Sequence, residues 1–447
     1  MASILAKLKW PILMRLLLLG LMAATVLKPA AWVSALSLTD AIDTALARNP
    51  RIAAADAQVR AAIHRVTQAA SGFHPQVTAY EKFNHTTNPM WAFGTKLNQG
   101  VIAQSDFDPQ VLNDPDPATN VATVLEVAWP LFDGGKTRSG HRQAQLSQEM
   151  MQLGLARSRQ QIIAETVGAY AGWLLGIENL KVVEQTMATA EANLKMVQNR
   201  FRTGFFVKSD LLRAQVRTAE LAQQKVHARN MVQIARASLA AAMGVEAREV
   251  SEPTSQLSKP MVQDGDLDQW LEQALTRRPE LRQAQFQRDI AAQEIGKTRA
   301  QRLPGIDLVG NYEINTESWD DFGDNYAIGA VMSLNLYSGQ RLSAQQREAA
   351  AMFEAAQAER QSREVAVGLE VRQAYYGLQS ALEGARVTEQ AIDQARENQR
   401  IIKNRYANGL ETIVTLLDAE LVLQRTQSDY FQRVHDYHVA LAQLMLA

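Results

Sequence analysis

The chain has 447 residues, 47% hydrophobic and 21% charged, enough apolar material for a sizeable core. Its formal net charge of −1 supplies no global field for nucleic acid or an anionic surface. It contains no cysteine, which excludes disulfides, thiol catalysis, thiolate metal sites and an N-terminal lipidated cysteine.

The N-terminus reads as a secretory leader. Lys7, Lys9 and Arg15 form a basic region, and Leu16 to Leu27 is an apolar run. That run is short of the ~20 residues needed to span a bilayer. "VSA" at 33–35 is a small-residue cleavage site, so residues 1–35 are expected to be removed. The competing reading is an anchor that stays attached.

A first structural repeat is expected over 36–244. Thr39 is placed to cap a short helix that "RNP" stops, and a longer helix runs from Pro50 to Gly72, with proline at an allowed first-turn position. Period-two segments follow at about 76–85 and 120–132. In the second, Val121, Leu125, Val127, Trp129 and Leu131 share a face. Gly134 and Gly135 of "FDGG" then turn the strand directly into a helix. A helical hairpin is expected over about 136–243, with Gly204 at its tip. Ile163, Val167, Tyr170, Leu174 and Ile177 step by 4 and 3, the spacing of a coiled-coil seam. An unbroken helix of this size is ~100 Å long at 1.5 Å per residue.

Residues 245–265 form a linker with two prolines, Pro253 and Pro260. A second repeat is expected over 266–447, with strands at about 305–315 and 325–337 and a helical hairpin over about 341–447. "ALTRRP" repeats "ALARNP" at an offset of 229 residues, whereas Gly339 repeats Gly134, and the tip at Gly409 repeats Gly204, at 205. The difference leaves 24 extra residues in the first half.

Each alternating segment has the length of a tilted membrane-spanning strand. Four strands cannot close a barrel, for which about eight is the practical minimum, and a lipid-exposed sheet tolerates no open edge. Copies of the chain must therefore combine, with cyclic symmetry as the usual solution. The hairpins then form a coaxial helical barrel. The expected fold class is mainly α with a small β part, duplicated, making a conduit. The alternative is a soluble periplasmic coiled-coil scaffold whose strands form wet hairpins. No residue set has catalytic spacing. His435 and His438 are three apart but lack a third ligand, so neither a metal nor a cofactor is expected.

"LSLTDAIDTALARNP", "VAWPLFDGGKTRSGHRQAQ" and the paired tips "NRFRTGFFVKSDLLRAQ" and "NRYANGLETIVTLLDAE" resemble the TolC-like outer membrane efflux proteins over the whole mature chain. The resemblance implies a homotrimer with a twelve-stranded outer-membrane β-barrel in contact with lipid and a periplasmic α-barrel. It implies an exit duct for an efflux or type I secretion system, served by a periplasmic adaptor and an inner-membrane pump, without lipidation or nucleic acid.

The resemblance also assigns residues. Asp418 falls at a periplasmic gate carboxylate, while Thr415 replaces a second one. Asp210 and Tyr406 match a latch pair, but Glu411 stands where its basic partner is expected, so the latch is partial. Gly204 and Gly409 with Phe205, Phe206 and Leu410 present apolar side chains at the tips, which suggests adaptor-docking tips, with local hairpin packing as the alternative. Gly134, Gly135 and Gly339 form the strand-to-helix turns. The extra residues lie within 86–119, an expected extracellular loop, where Trp91 and Phe93 fold over the mouth or mark an aromatic girdle. Residues 316–324 form an acidic loop opposite, and the linker wraps the α-barrel as an equatorial band.

Overall fold

In the computed structural model, the residues described are 35–261 and 265–446. The expected leader lies outside them except for Ala35. Helix α1 (Leu38–Arg48) is capped by Ser37 rather than Thr39, because Ser37 and Asp40 satisfy each other's backbone amides in a capping box. Helix α2 (Pro50–Ala70) starts at proline, and its N-cap Asn49 accepts from the Arg51 amide. A single turn of 3-10 helix, Ser71–Phe73, leads into strand β1 (Gln76–Thr86). Helices α3 (Pro89–Gln99) and α4 (Pro109–Asn113) fill the following insert before strand β2 (Ala118–Phe132).

Helix α5 (Lys136–Arg202) has 67 residues, and α6 (Lys208–Met243) returns antiparallel to it. The second half repeats the order with α7 (Leu267–Arg277), α8 (Pro279–Ala300), β3 (Gly305–Thr316), β4 (Gly323–Ser333), α9 (Arg341–Ala407, again 67 residues) and α10 (Ile413–Leu446). At 1.5 Å per residue, α5 and α9 are each ~100 Å long.

The helices form four columns side by side. Two are unbroken, α5 and α9. The other two are each built from two helices end to end. Helices α2 and α6 cover one flank of α5, while α8 and α10 lie between α5 and α9. At the first junction, Asn49 donates to the Ala242 carbonyl at 2.8 Å, while Gly244 turns with φ +71. A β-carbon at Gly244 would lie 2.8 Å from Asn49 Cα, so only glycine permits that approach. At the second junction, Arg157 pairs with Glu280 at 2.6 Å and donates to the Leu446 carbonyl at 3.3 Å.

Because α5 has neighbours on both flanks, it buries more than one stripe. Of the expected seam, Tyr170 and Leu174 are buried and Ile177 packs on the same core, but Ile163 and Val167 give way to their neighbours in the most enclosed row, Ile162, Thr166, Tyr170 and Trp173. That row packs on Ala41, Ala45, Leu239 and Met243 in the largest core cluster. Ile163 and Val167 instead line an apolar cavity with Leu441 and Met445. The 245–265 segment crosses this level. Leu36 donates its amide to the Glu252 carbonyl, Tyr170 reaches Ser255, and the Tyr437 hydroxyl donates to the Met261 carbonyl at 2.7 Å.

The strands make one antiparallel sheet in the order β1-β2-β3-β4. Strand β4 stops at Ser333, paired with Gly305, the first residue of β3. Leu334, Leu336 and Tyr337 were expected to continue it. Past Gly305 they have no partner strand, and Leu336 and Tyr337 are exposed.

Candidate channel wall and periplasmic tip

Alternation gives the sheet two chemically distinct faces. On one, Val77, Ala79 and Phe83 lie opposite Val127, Leu125 and Val121, and the row continues through Leu308, Tyr312 and Ile314 to Tyr326, Ile328 and Ala330. The other carries Thr78, Tyr80 and Lys82 beside Glu126, Asn311, Glu313 and Asn325. An apolar face backed by a polar one is the pattern of a lipid-facing wall around an aqueous lumen. Strands β1 and β4 each pair on one side only, so two ladders of backbone amides and carbonyls stay open. Among the described residues no helix is long and apolar enough to cross a membrane.

The strand-to-helix turns are both left-handed. Gly134 has φ +69 and Gly135 φ +90, and their counterparts Gly339 and Gln340 have φ +59 and +68. The environments differ. A β-carbon at Gly134 would meet the Ala300 carbonyl oxygen at 2.7 Å and Leu303 Cβ at 2.9 Å, whereas Gly339 faces open space. Asp133, not anticipated from sequence, accepts from the Gly135 and Thr137 amides at 2.9 and 2.6 Å and closes the helix start.

At the far end the two hairpins finish in the same way. Gly204 and Gly409 have φ +78 and +75. The Phe205 and Leu410 amides bond back to Arg200 and Arg405 carbonyls, both at 2.9 Å, a glycine C-cap repeated at the 205-residue offset. Phe205 is 80% and Leu410 66% exposed. Phe206 is half-buried. Its ring stacks on Tyr406 with centroids 5.2 Å apart, and the Arg200 guanidinium lies over the same ring at 5.4 Å from its centroid. Arg200 also donates to the Ala407 carbonyl at 2.6 Å. Val197, Ala214, Tyr406, Ile413 and Leu416 complete this cluster, which joins one tip to the other because an aromatic beside an apolar pocket gains more by burial than by exposure.

The expected latch pair is close but not hydrogen-bonded. The Tyr406 hydroxyl is buried and has no partner among the described residues. Burial, with the Asp210 carboxylate adding to it, pushes the phenol up to about 12. Glu411 pairs with Arg405 at 3.1 Å. Asp418 is exposed and lines a cleft of about 610 Å³ between α6 and α10, with Arg213, Arg217 and Glu220 on the facing helix.

A buried polar cluster deeper in the hairpins was missed from sequence. Glu420 is 2% exposed and accepts from Asn193 on α5. Arg217 on α6 donates to Gln424 at 2.7 Å, and Gln424 to Gln224 at 3.0 Å. Burial pushes the Glu420 carboxyl above its usual range, against the opposing pull of Arg217, Lys403 and the Asn193 hydrogen bond. Its signal was present: Asn193 falls between Ala190 and Val197 at seam spacing. His435 and His438 diverge, to Asp436 and to Ser258, and no group of three metal-ligating residues exists among the described ones.

The sequence profile of the family described as "Outer membrane efflux protein" matches residues 41–245 and 270–447. Protein CyaE of Bordetella pertussis is 25% identical over 421 residues, 93% of this chain and 83% of its own length. Outer membrane protein TolC of Vibrio cholerae is 22% identical over 430 residues, 94% of this chain and 92% of its own. The crystal structure of the outer membrane protein VceC from Vibrio cholerae superposes with a TM-score of 0.76 at 20% identity, over 91% of this chain and 95% of that one.

Proposed function

Because the chain belongs to the outer membrane efflux protein family, we propose that three copies of it close their sheets edge to edge into one twelve-stranded barrel fed by a periplasmic adaptor. The protein is an outer-membrane channel, an exit duct of efflux or type I secretion systems, with its helical barrel in the periplasm. That localisation replaces the soluble scaffold. Channels of this family are trimers that work with adaptor and pump partners.

The observation carrying the trimer is the sheet with one apolar face and two unpaired edges. In lipid each unpaired backbone group costs several kcal/mol, and edge-to-edge closure removes both rows. Repeat halves 36–244 and 266–447 then each supply one hairpin pair to the wall, bridged at mid-height by 245–265. Phe205 and Leu410, presented by Gly204 and Gly409, are the contacts for the adaptor. Phe206 and Tyr406 clasp the tips together. Asp418, with Asp210 above the tip, gives the entrance its carboxylates, which symmetry triples. The neighbouring arginines offset part of that charge.

The experiment is single-channel recording of detergent-extracted protein in a planar bilayer. Discrete cation-preferring openings are expected, and Asp418→Ala should lower the preference for cations. Absence of channels overturns the reading, and unchanged selectivity in Asp418→Ala removes Asp418 from the gate.

A further inference from the structure

The 24 extra residues do not project away from the barrel wall. Helix α3 crosses β2, β3 and β4 with Ala92, Thr95 and Gln99 against the sheet. Gln99 donates to the Thr119 carbonyl and to Asn120 at 2.8 and 2.9 Å, and Asn120 donates to Asn315 at 2.6 Å. Asn120, Ala122, Val124 and Asn315 beneath it are all buried. These positions alternate with the apolar ones, so the helix lies on the polar face. A β-carbon at Gly323 would overlap the Asn98 carbonyl oxygen, which leaves no gap between the helix end and the start of β4. Lys96 pairs with Asp106 at 2.8 Å, and Phe93 meets Phe107 edge-on at 5.5 Å, which makes the insert one body.

The side of α3 turned away from the sheet is apolar and unpartnered. Met90 and Leu97 are exposed there, with Trp91 beside them. Gly94 sits between them at 4- and 3-residue spacing, and its missing side chain faces open space. A glycine inside a helix costs about 1 kcal/mol relative to alanine, and nothing in its own chain uses the room it leaves. A twelve-stranded barrel with ~4.8 Å strand spacing and ~40° tilt is ~24 Å across. A helix with side chains is about 10–12 Å thick, so one lying on the inner wall spans from wall to axis.

We propose that the three copies of α3 meet at the symmetry axis through Met90, Gly94 and Leu97 and close the outer mouth with an apolar seal. The occupant of the exposed stripe is thus the same stripe of the other two chains, and the inference rests on the trimer reading above. The lumen-side placement and the reach of the helix bring the copies together, and the glycine lets them approach closely.

The chain has no cysteine, so Leu97→Cys introduces one thiol per chain at an exposed position that does not bear on folding. Purified protein in detergent is first sized by light scattering, then oxidised with copper phenanthroline and denatured without reductant. The expected result is a disulfide-linked dimer from up to two-thirds of the chains, because one thiol in each trimer is left over. Phe83→Cys, on the lipid face, should give none. An intact trimer whose Leu97→Cys chains all run as monomers overturns the seal and leaves the trimer standing. A single-chain mass before oxidation overturns the trimer itself.

Discussion

At Gly134 two penalties coincide, a left-handed backbone and a carbonyl oxygen 2.7 Å from where a β-carbon would sit. At Gly339 only the backbone term applies, about 1–2 kcal/mol for a residue with a side chain. Gln340 already bears that cost at φ +68. We therefore expect an ordered series in thermal melts of the assembled protein. Gly134→Ala should lose the most stability, more than 2 kcal/mol. Gly339→Ala should lose about 1–2 kcal/mol, and Gly135→Gln, at an open position matching Gln340, no more than that. Equal melting of Gly134→Ala and Gly339→Ala would show that the contact with Ala300 costs nothing.

Glu420 gives a second test at this scale. Its folded pKa lies above the unfolded carboxylate value, taken as 4.5. Between those two pKa values the folded state holds a proton that the unfolded state has released. Stability therefore falls as pH rises through that window and levels off above it. Glu420→Gln has no such term. Its melting temperature should exceed that of the wild type most at pH 8, with the gap narrowing toward pH 4.5. A constant gap would mean that the carboxylate carries no burial penalty.

Among elements, the tips separate two roles for neighbouring aromatics. Phe206→Ala removes a ring stacked on Tyr406 and should destabilise by about 1–2 kcal/mol, less than the 3–5 of a fully buried phenylalanine. Phe205→Ala should be near neutral in melts and act instead on adaptor co-purification. Equal melting of the two variants would contradict the clasp. Sequence alone could not separate them, since both follow the tip glycine and only stacking across the two hairpins distinguishes them. The strand-to-helix turns, the long helices and the glycine caps were legible because each depends on local chemistry repeated at a fixed offset. The overlong end of β4 was misread because alternation continues through Leu334 and Leu336 while pairing stops where β3 begins. The seam held at Tyr170 and Leu174 but was one residue out at Ile163 and Val167, because α5 answers to neighbours on both flanks. Asn193 signals itself by its seam spacing, but its partner Glu420 comes from another helix and no local pattern pairs the two.

For the whole molecule, a chain whose membrane face is complete only in company should have no stable life alone. Apolar side chains such as Phe83, Tyr326 and Ile328 are exposed on the sheet, and detergent can cover those. It cannot satisfy the two open rows of backbone hydrogen-bonding groups on β1 and β4 without pairing them. The helical columns add a second demand, since α9 and the α2/α6 column are flanked on one side only. Multi-angle light scattering of the detergent-extracted protein, corrected for bound detergent, tests this most directly. The expected result is a single species with the protein mass of three chains. A monodisperse species with the mass of one folded chain would contradict it.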